Sequence, residues 1–441
     1  MKNILLINNK INKFNKKISI SGDKSLSIRW ALMSAQALGK SRAYNLLDSE
    51  DVNNSLIALK KLGVKIIKNK KFCEIFGKGL NGFSFKENTI INAQNSGTFA
   101  RLILGVLART EKNVILKGDK SLSNRDFLRV IKPLSLFGVK ISSKKYKLPI
   151  KIRGTKYLRP INYEELKGSA QIKSCIMLAA LNTPGTTKIK CIPSRDHTER
   201  LFKHLKLKIK IKQNHKYQII QIEGGKQYDA LNYNIPGDIS SASFFIVLTL
   251  LSKNSKLIIK NINVNKSRTG IIDILKKMNA KIKVKNKKKY KGEELADIYV
   301  KSTKNLKSIK CPKEMNSRAI DELPLIFLVC AKAKGTSYFK SIGELRHKES
   351  DRLKLSANFL KMIGVKVKST SDSLKIFGIP ELETKKNYII KNFMKDHRIF
   401  MLSCVTALVL GGKWKIHNKN SINSSFPNFL KILKRLGANL H

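Results

Sequence analysis

The hydrophobic pattern of the chain repeats one phrase, in which an amphipathic helix ends at a turn and a short β-branched strand follows. The clearest copies read L-I-A-L-K-K-L-G-V-K-I, ending at Ile66, and V-I-K-P-L-S-L-F-G-V-K-I, ending at Ile141. Other copies, one of them degenerate, end at Ile211, Val284 and Val367, and a sixth lies at the C-terminus. Gly or Asn between helix and strand is typical of the left-handed residue that follows a helix.

The spacing of these copies indicates an internally repeated α/β protein. They recur every 70–85 residues, roughly, which is too long for a thin solenoid with units of about 20–50 residues. Six compact α+β units, three in each of two globular halves, fit better. A chain of 441 residues also favours two domains or more.

Two turns that contain glycine are the predicted places where the chain crosses between the halves. They read I-S-I-S-G-D-K-S near the start and N-I-P-G-D-I-S-S-A-S around Gly237. One predicted domain is therefore residues 23–236, and the other joins residues 1–22 to residues 237–441. A cleft between two such domains is the expected ligand site.

A strong positive charge raises the question of nucleic-acid or membrane partners. The chain has 88 Lys+Arg against 30 Asp+Glu, a formal net charge of +58, with an ordinary hydrophobic fraction of 42%. The lysines are spread over the whole length among many Ile and Asn residues, as codon bias in an AT-rich genome would produce. Because there is no basic tail, Arg-rich block or run of aromatics among basic residues, we expect no nucleic-acid partner.

The cysteines and the apolar runs predict a soluble cytoplasmic protein. The six cysteines form no CxxC pair, which favours buried reduced thiols over disulfides or a zinc site, and no metal or cofactor is expected. The apolar run at the N-terminus is too short for a secretory signal, and no run approaches the ~20 residues of a membrane helix. We expect a monomer without a membrane partner.

Several candidate sites place cations or small polar residues at the starts of helices, where anions bind well. Lys24 and Ser25 open one such helix, and Arg29 follows one turn later. Gly97 in N-S-G-T-F-A-R would let a ligand approach the backbone closely, and Arg125 precedes another amphipathic helix. The plain alternative at each position is helix capping with solvated cations.

Two further motifs of the predicted domain 23–236 carry polar residues before apolar helices. G-S-A-Q-I-K-S, with Ser169, Ala170 and Gln171, suits a hydroxylated, phosphorylated molecule, or serves only as a cap. S-R-D-H-T-E-R, which includes Arg195, has alternating charges that fit the start of a surface helix.

The other predicted domain adds acidic and basic residues before apolar helices. I-D-E-L-P includes Asp321, and K-D-H-R includes His397 and Arg398. The acidic pair also fits compensation of a helix dipole, and a lone histidine is more often structural. P-G-D-I-S-S-A-S is fully explained by Asp238 as a cap.

The run from Ser341 to Lys354, S-I-G-E-L-R-H-K-E-S-D-R-L-K, has the densest charge pattern. If it is helical from Lys348 onward, Lys348 and Arg352 lie one turn apart, with Glu349 three residues before Arg352. A cationic pair beside a carboxylate suits an anionic ligand whose chemistry needs a proton carrier. The alternative is an exposed helix with paired charges. Across both domains the cations exceed the needs of one phosphate and suit two polyanionic substrates.

The motifs also arrive in the order of a known family. The chain carries, in sequence, S-G-D-K-S-L-S-I-R, L-L-D-S-E-D, N-S-G-T, the Arg125 segment, S-A-Q, R-D-H-T-E, P-G-D-I-S-S-A, D-E-L-P, K-E-S-D-R-L and D-H-R. Over essentially its whole length it resembles the 5-enolpyruvylshikimate-3-phosphate (EPSP) synthases. The resemblance implies an α/β (α+β) fold, a two-domain inside-out α/β barrel with three βαβαββ units in each domain. It also implies transfer of the enolpyruvyl group of phosphoenolpyruvate to the 5-hydroxyl of shikimate 3-phosphate, with release of phosphate.

The resemblance further implies a role for each candidate residue. The shikimate 3-phosphate contacts would be Lys24, Ser25, Arg29, Ser169, Ala170, Gln171, Arg195, Asp321 and Lys348. The phosphoenolpyruvate contacts would be Lys24, Gly97, Arg125, Gln171, Arg352 and Arg398. Asp321 would accept the hydroxyl proton and Glu349 would exchange the methylene proton. Lys24 and Lys348 would stabilise charge, and His397 would orient or assist.

Some features depart from the family pattern or bear on its rivals. Asp126 stands where many members have Pro, and Ser424 stands where enteric members have a Lys that contacts phosphoenolpyruvate. Gly97 matches the glycine of inhibitor-sensitive members, which predicts inhibition by glyphosate. The rival enolpyruvyl transferase acting on UDP-N-acetylglucosamine usually has a Cys in the Arg125 loop, whereas residues 112–126 contain none. A basic nucleic-acid-binding protein, the rival from another class, would need its cations on one face.

Overall fold

The structure is a computed structural model that describes residues 3–214 and 216–441, so residues 1 and 2 of the predicted segment 1–22 lie outside the described residues. Its helices are α1 Lys24–Gln36, α2 Glu50–Lys61, α3 Gly97–Val106, α4 Lys120–Ser123, α5 Leu128–Leu136, α6 Ala170–Leu181, α7 His197–His204, α8 Ile239–Leu251, α9 Gly270–Lys277, α10 Lys313–Arg318, α11 Leu323–Ala331, α12 Arg352–Met362, α13 His397–Leu410 and α14 Phe429–Arg435. Short 3-10 helices occupy Leu107–Arg109, Lys144–Tyr146, Gly343–His347 and Lys419–Ser424.

The strands are short and alternate with these helices. They are β1 Ile4–Ile7, β2 Asn15–Ser19, β3 Leu38–Tyr44, β4 Lys65–Lys68, β5 Phe72–Lys78, β6 Thr89–Asn92, β7 Val114–Lys117, β8 Lys140–Ser143, β9 Ile150–Arg153, β10 Asn162–Glu165, β11 Gly185–Cys191, β12 Ile209–Gln213, β13 Gln218–Gly224, β14 Tyr233–Asn234, β15 Lys256–Asn263, β16 Ile282–Tyr290, β17 Glu293–Lys301, β18 Thr336–Lys340, β19 Val367–Ser369, β20 Ser373–Phe377, β21 Asn387–Ile390 and β22 Lys413–His417.

The chain forms two compact units. The N-terminal unit consists of Gly22–Ile235 together with Tyr290–Glu293. The C-terminal unit consists of residues 3–21, Pro236–Lys289 and Glu294–His441. The division predicted from the sequence places residues 290–293 in the C-terminal unit. They lie in the N-terminal unit because side chains and carbonyls of that unit hold them, as described below.

The N-terminal unit contains three four-stranded sheets of one topology. Their strand orders are β14-β3-β5-β4, β6-β7-β9-β8 and β10-β11-β13-β12. In each sheet the first pair is parallel and the other two pairs are antiparallel, as in β6–β7, β7–β9 and β8–β9. A parallel pair needs a crossover, which α3 supplies between β6 and β7. In each sheet two consecutive strands form a hairpin: β4 and β5, β8 and β9, and β12 and β13. The chain from β6 to β9 and the chain from β10 to β13 therefore both read βαβαββ.

The C-terminal unit also contains three sheets, with orders β16-β17-β15-β2, β18-β20-β19 and β1-β22-β21. Strand β2 pairs in parallel with β15, and β1 pairs antiparallel with β22, so the N-terminal segment completes two sheets of this unit. Two isolated parallel bridges, Lys307 to Lys334 and Lys310 to Tyr338, stand where a first strand would complete the β18 sheet. The predicted α/β class with three repeated modules in each half is confirmed.

The modules end as the repeated phrase predicted. In each copy of the phrase, a residue between helix and strand has a left-handed backbone conformation, with φ of 87° at Gly63 and 100° at Gly138. The same conformation occurs at Asn279, Gly364 and Gly437, and in the degenerate copy at Lys206: φ 70°, 89°, 100° and 55°, respectively. Glycine and asparagine tolerate this conformation best, which explains why they recur at this point of the phrase.

Each unit is built around helices that are buried on nearly every side. In the N-terminal unit these are α1, α3 and α6, and in the C-terminal unit they are α8, α11 and α13. Because other elements surround these helices, they reach the surface mainly at their ends. Several candidate motifs lie at their N-termini, where backbone N–H groups lack partners within the helix. The motifs of Arg125, Arg195 and Arg352 lie at the starts of α5, α7 and α12 instead.

The six cysteines are free thiols, and five of them are buried. Burial raises the pKa of Cys73 to about 11 and that of Cys175 to about 12. Among the described residues, no helix has the length and apolar character that crossing a membrane requires.

Candidate active site

Lys24 opens α1 of the N-terminal unit and pairs with a carboxylate. Asp23 caps the helix by accepting the Leu26 N–H at 2.8 Å, and Lys24 is the first helical residue. The Nζ atom of Lys24 donates to Oδ2 of Asp51 at 2.8 Å, and Asp51 is almost wholly buried. This ion pair fixes the position of the ammonium group beside the helix N-terminus.

Arg29 is buried, and hydroxyl groups contact all of its guanidinium nitrogens. Its Nη1 donates to Ser25 Oγ at 2.6 Å, its Nε to Thr198 Oγ1 at 2.9 Å and its Nη2 to Ser174 Oγ at 3.0 Å. Ser174 and Thr198 also contact each other at 2.8 Å. These hydroxyl groups hold the guanidinium in one orientation.

Gly97 lies against two guanidinium groups at the start of α3. A Cβ atom added to Gly97 would lie 2.9 Å from Nη1 of Arg101 and 2.9 Å from Nη1 of Arg125. Arg101 stacks on the ring of Phe127, 5.0 Å from its centroid. The absence of a side chain at Gly97 thus allows both cations to approach the N-terminus of the helix.

Gln171 joins this group to the start of α6. Its Oε1 accepts from Nη1 of Arg101 at 2.9 Å, and its Nε2 donates to Thr98 Oγ1 at 3.0 Å. Ser169 caps α6, and its own N–H donates to Oε2 of the buried Glu165 at 2.9 Å. Burial raises the pKa of the Glu165 carboxyl, although the backbone N–H groups of residues 167–169 oppose that shift. Ala170 follows as the first residue of α6.

Arg195 is half-buried and comes just before α7. The residues that follow it, His197, Thr198 and Glu199, are buried, so the expectation that R-D-H-T-E-R starts a surface helix is wrong. The reason is pairing: Glu199 Oε1 lies 2.5 Å from Nζ of the fully buried Lys173, and Thr198 contacts Arg29. Alternating charges in sequence do not reveal such distant partners.

Arg352 is the centre of the constellation in the C-terminal unit, and three carboxylates surround it. Its Nε donates to Asp396 Oδ2 at 2.9 Å, and its Nη1 lies 3.4 Å from Asp321 Oδ1. Its Nη2 donates to Glu349 Oε2. Burial disfavours the charged guanidinium, but the charges of Asp396, Glu349 and Asp321 outweigh burial and raise its pKa.

Asp396 is fully buried and serves both this cluster and the helix that follows. It accepts the N–H of Arg398 at 2.9 Å and thereby caps α13, while Ser350 Oγ donates to its Oδ2 at 2.8 Å. Burial raises the pKa of Asp396 and Arg352 lowers it, and the net direction is downward from its ordinary value. Asp396 thus holds Arg352 and the start of α13 together.

The predicted helix from Lys348 onward is wrong. Lys348 is extended, with φ −83° and ψ −155°, and α12 begins only at Arg352. Asp351 stops the helix from starting earlier because its carboxylate caps the N–H of Lys354 at 2.9 Å. Lys348, Glu349 and Arg352 nevertheless lie in one cluster. Lys348 Nζ lies 3.5 Å from Asp321 Oδ1, and Glu349 and Asp321 both contact Arg352.

A second buried network supports the turn that carries Asp321. Ser240 Oγ donates to Glu322 Oε1, and Arg268 Nη2 donates to Ser240 Oγ at 2.7 Å and lies 3.2 Å from Asp238 Oδ1. Asp238 also caps α8, as its N-cap role in the sequence predicted. This network holds Glu322 in place, and Glu322 is the neighbour of Asp321.

Arg398 and His397 begin α13. The Nη1 of Arg398 donates to the Asp321 carbonyl at 3.2 Å and lies 3.8 Å from Oε1 of Glu322. His397 is buried next to the capping residue Asp396. Asp321, Lys348, Glu349, Arg352 and Arg398 are therefore brought together within one unit.

The two departures from the family pattern have local partners. Asp126 is exposed, and its Oδ1 accepts the Leu128 N–H at 2.7 Å, which occupies its carboxylate at the start of α5. Ser424 Oγ donates to the Ser421 carbonyl at 2.9 Å.

Sequence reasoning missed the residues that hold the candidates in place. These are Asp51, Arg101, Glu165, Ser174, Thr198, Ser240, Arg268, Glu322 and Asp396. Most of them lie inside the quoted motifs, so a polar residue within an apolar run was an available signal. The partners of these residues could not be predicted, because the contacts join distant parts of the chain.

Each unit thus combines cations held in place with carboxylates near the N-termini of helices. This arrangement suits polyanionic ligands and proton transfer. No group of three or more His, Cys, Asp or Glu side chains among the described residues could hold a metal ion.

Comparison with known proteins is consistent with this chemistry. Residues 8–433 match the family model for EPSP synthase (3-phosphoshikimate 1-carboxyvinyltransferase). A 3-phosphoshikimate 1-carboxyvinyltransferase of Ruthia magnifica is 39% identical over 431 residues, covering 98% of this chain and 97% of the relative. One of Zymomonas mobilis is 37% identical, with 98% and 96% covered.

Solved structures agree. An EPSP synthase of Acinetobacter baumannii superposes with a TM-score of 0.87 at 33% identity and covers 100% of this chain and 99% of that one. The enolpyruvyl transferase NikO of Streptomyces tendae shares the fold, with a TM-score of 0.78 at 15% identity, covering 100% of this chain and 98% of that one.

Proposed function

The chain belongs to the family of EPSP synthases (3-phosphoshikimate 1-carboxyvinyltransferases), and we propose that its two constellations carry out the transfer of the enolpyruvyl group from phosphoenolpyruvate to the 5-hydroxyl of shikimate 3-phosphate. The observation that carries this assignment is the cluster around Arg352. There, two carboxylates that could move protons, Asp321 and Glu349, lie beside the cations Arg352 and Lys348.

In this proposal the N-terminal unit supplies most contacts to shikimate 3-phosphate. Arg29 and Arg195 bind its phosphate together with Ser25, whose hydroxyl accepts from the Arg29 guanidinium. Ser169, Ala170 and Gln171 at the start of α6 complete the site. The C-terminal unit adds Asp321 and Lys348 to the same substrate.

The remaining cationic side chains are assigned to phosphoenolpyruvate. Gly97 leaves room for Arg125 at the start of α3, and Lys24 and Gln171 contact both substrates. Arg352 and Arg398 bind from the C-terminal unit. Glu349 occupies one edge of the Arg352 guanidinium, so an anion that binds there replaces Glu349 and frees its carboxyl group for chemistry. Because Gly97 matches the glycine of inhibitor-sensitive family members, we also expect glyphosate to inhibit.

The reaction then proceeds by addition and elimination. The 5-hydroxyl oxygen bonds to the central carbon of phosphoenolpyruvate, while Asp321 takes the hydroxyl proton and Glu349 gives a proton to the methylene carbon. In the elimination, Glu349 removes a proton from the methyl group and the bond from the central carbon to the phosphate oxygen breaks. Asp321 returns its proton to the departing phosphate. Lys24 and Lys348 stabilise negative charge, and His397 orients the groups at the start of α13.

The setting of the enzyme is likewise a proposal. We propose a cytoplasmic monomer without a nucleic-acid partner and without a resident metal or cofactor. The support is the even spread of lysine along the chain and the buried free cysteines.

The first prediction tests the proton carrier by replacing Glu349 with Gln. Glutamine keeps the size of the side chain but cannot transfer the proton, so we expect kcat to fall by about 10²–10⁴-fold. Phosphate release from the two substrates measures it. Glu344→Gln, which alters an exposed carboxyl in the same run, should keep kcat within about twofold of the wild-type value.

Two outcomes would contradict the assignment. Wild-type protein that releases no phosphate from shikimate 3-phosphate and phosphoenolpyruvate would refute the function itself. An active Glu349→Gln variant would refute only the role of Glu349. UDP-N-acetylglucosamine in place of shikimate 3-phosphate should release no phosphate.

A further inference from the structure

The segment Tyr290–Glu293 joins β16 to β17 and belongs to the N-terminal unit. Lys291 and Gly292 both have positive φ, 45° and 86°, as a tight two-residue hairpin turn requires. A Cβ atom at Gly292 would lie 2.7 Å from the carbonyl oxygen of Arg200. Gly292 therefore meets two requirements at once, the turn and a close approach to α7.

Polar contacts hold both ends of this turn. The Tyr290 hydroxyl accepts the Asn234 N–H at 2.8 Å, and its ring packs edge-on against Tyr233 with centroids 5.4 Å apart. Arg200 Nη1 donates to the Gly292 carbonyl at 3.1 Å. So many contacts for four residues indicate a turn whose position is fixed rather than a solvated loop.

The turn delivers a carboxylate to the first residue of α7. Glu293 Oε1 lies 2.6 Å from Nδ1 of His197, and neither side chain is exposed to solvent. Burial of a carboxylate is costly unless it has a close partner, so the pair fixes both side chains. The mechanism proposed above uses neither His197 nor Glu293.

The helix start held in this way lies next to the groups assigned to the phosphate of shikimate 3-phosphate. Thr198, the residue after His197, accepts from Nε of Arg29 at 2.9 Å. Arg195 lies two residues before His197 on the same short segment. A shift of the α7 start would therefore displace the hydroxyl that orients Arg29 and the backbone that carries Arg195.

We propose that Glu293 is a positioning residue for the 3-phosphate pocket: through His197 it fixes the start of α7 and so sets the geometry of Arg29 and Arg195. The inference rests on the proposed function, which assigns these two arginines to shikimate 3-phosphate. Glu293 itself does not contact the substrate. Its effect reaches the substrate through His197 and the helix.

The test compares Glu293→Ala, Glu293→Gln and wild-type enzyme in steady-state kinetics. Alanine removes the acceptor, and we expect the KM for shikimate 3-phosphate to rise about tenfold, as loss of a buried hydrogen bond suggests. Glutamine keeps an oxygen that can accept from Nδ1, so its KM should rise less than about threefold. The KM for phosphoenolpyruvate and kcat should stay within about twofold, because the residues assigned to phosphoenolpyruvate and to proton transfer lie outside α7.

Controls separate this effect from general destabilisation. Glu294→Ala removes the neighbouring half-buried carboxyl and should leave the KM for shikimate 3-phosphate unchanged. Thermal unfolding of each variant, with and without shikimate 3-phosphate, reports folding and binding independently of turnover. If Glu293→Ala is not obtained folded, Glu293→Asp serves instead, because its shorter side chain keeps the charge but withdraws the oxygen from Nδ1.

The outcomes decide between the claims. A lower Tm for Glu293→Ala with an unchanged KM for shikimate 3-phosphate would overturn the positioning role and leave a structural one. An equal rise of both KM values would also overturn it. An Arg29→Lys variant with unchanged affinity for shikimate 3-phosphate would instead refute the assignment of Arg29, which distinguishes failure of the proposed function from failure of this inference.

Discussion

The pKa values of single residues around Arg352 depend on the charged groups next to them. A guanidinium that is almost wholly buried needs partners, and Asp396, Asp321 and Glu349 provide them. Asp396 is the partner with no exposure and with a lowered pKa. Glu349 is one of several carboxylates on the same cation, so Arg352 would still be paired with Asp396 if a substrate anion replaced Glu349.

Asp396→Asn tests how much the pairing of Asp396 with Arg352 contributes to the stability of the fold. Breaking a buried pair by removing one partner typically costs about 3–5 kcal/mol, and the remaining carboxylates favour the lower end of that range. The folded-state pKa of Asp396 is lowered, so its stabilisation is fully present above the ordinary Asp value of about 3.9 and is lost as the pH falls toward the folded-state pKa. Urea unfolding at pH 7 and at steps down to pH 3 measures both effects.

The variant should therefore lose less stability than the wild type between about pH 4 and pH 3. Asp229→Asn, at an exposed aspartate, is the matched control and should follow the wild-type curve. Parallel curves for wild type and Asp396→Asn over that range would show that Asp396 does not carry the depressed pKa.

At the scale of elements, several candidate residues lie at the starts of the buried helices. At each start, a few polar residues precede or open the helix, and this pattern could be predicted from the sequence. The positions of Lys24, Gly97, Gln171, Asp321 and Arg398 at or just before helix starts come from local rules for capping and patterning.

What the sequence could not provide is the set of partners between elements. Arg29 meets Thr198 across 169 residues and Arg352 meets Asp396 across 44, and only the packing of the modules sets those pairs. The helix expected from Lys348 failed for a local reason, because charge spacing alone does not reveal that Asp351 is the cap. The turn Tyr290–Glu293 belongs to the N-terminal unit, which the sequence does not predict because its contacts are also distant in sequence.

Gly97→Ala tests the approach of cations to the start of α3. The new methyl group would lie 2.9 Å from Nη1 of both Arg101 and Arg125, and these flexible ends must move to accommodate it. Helix stability should not fall, since Ala is the better helix former. We expect the KM for phosphoenolpyruvate to rise about fivefold, equivalent to about 1 kcal/mol, with the KM for shikimate 3-phosphate little changed.

The matched control is Gly343→Ala, whose methyl group would likewise lie 2.9 Å from a side-chain tip, Oδ1 of Asp372. That variant should keep both KM values. An unchanged KM for phosphoenolpyruvate in Gly97→Ala would show that neither guanidinium depends on the space at Gly97.

At the scale of the whole molecule, the net charge of +58 bears on how anionic substrates reach the enzyme. Both substrates are multiply anionic, so a positive field raises their local concentration and speeds their association. The field is long-ranged only at low salt, since the Debye length is about 30 Å at 0.01 M ionic strength and about 10 Å at 0.1 M.

Raising the ionic strength should therefore lower kcat/KM for shikimate 3-phosphate while leaving kcat nearly constant. Between about 10 mM and 200 mM KCl we expect kcat/KM to fall by about three- to tenfold, within the range known for electrostatic steering. The assay is phosphate release at low and at saturating substrate. Sucrose at matched osmolarity should have no such effect. A fall in kcat as large as the fall in kcat/KM would mean that salt disrupts the buried ion pairs of the site, and the spread lysines would then play no part in capturing substrate.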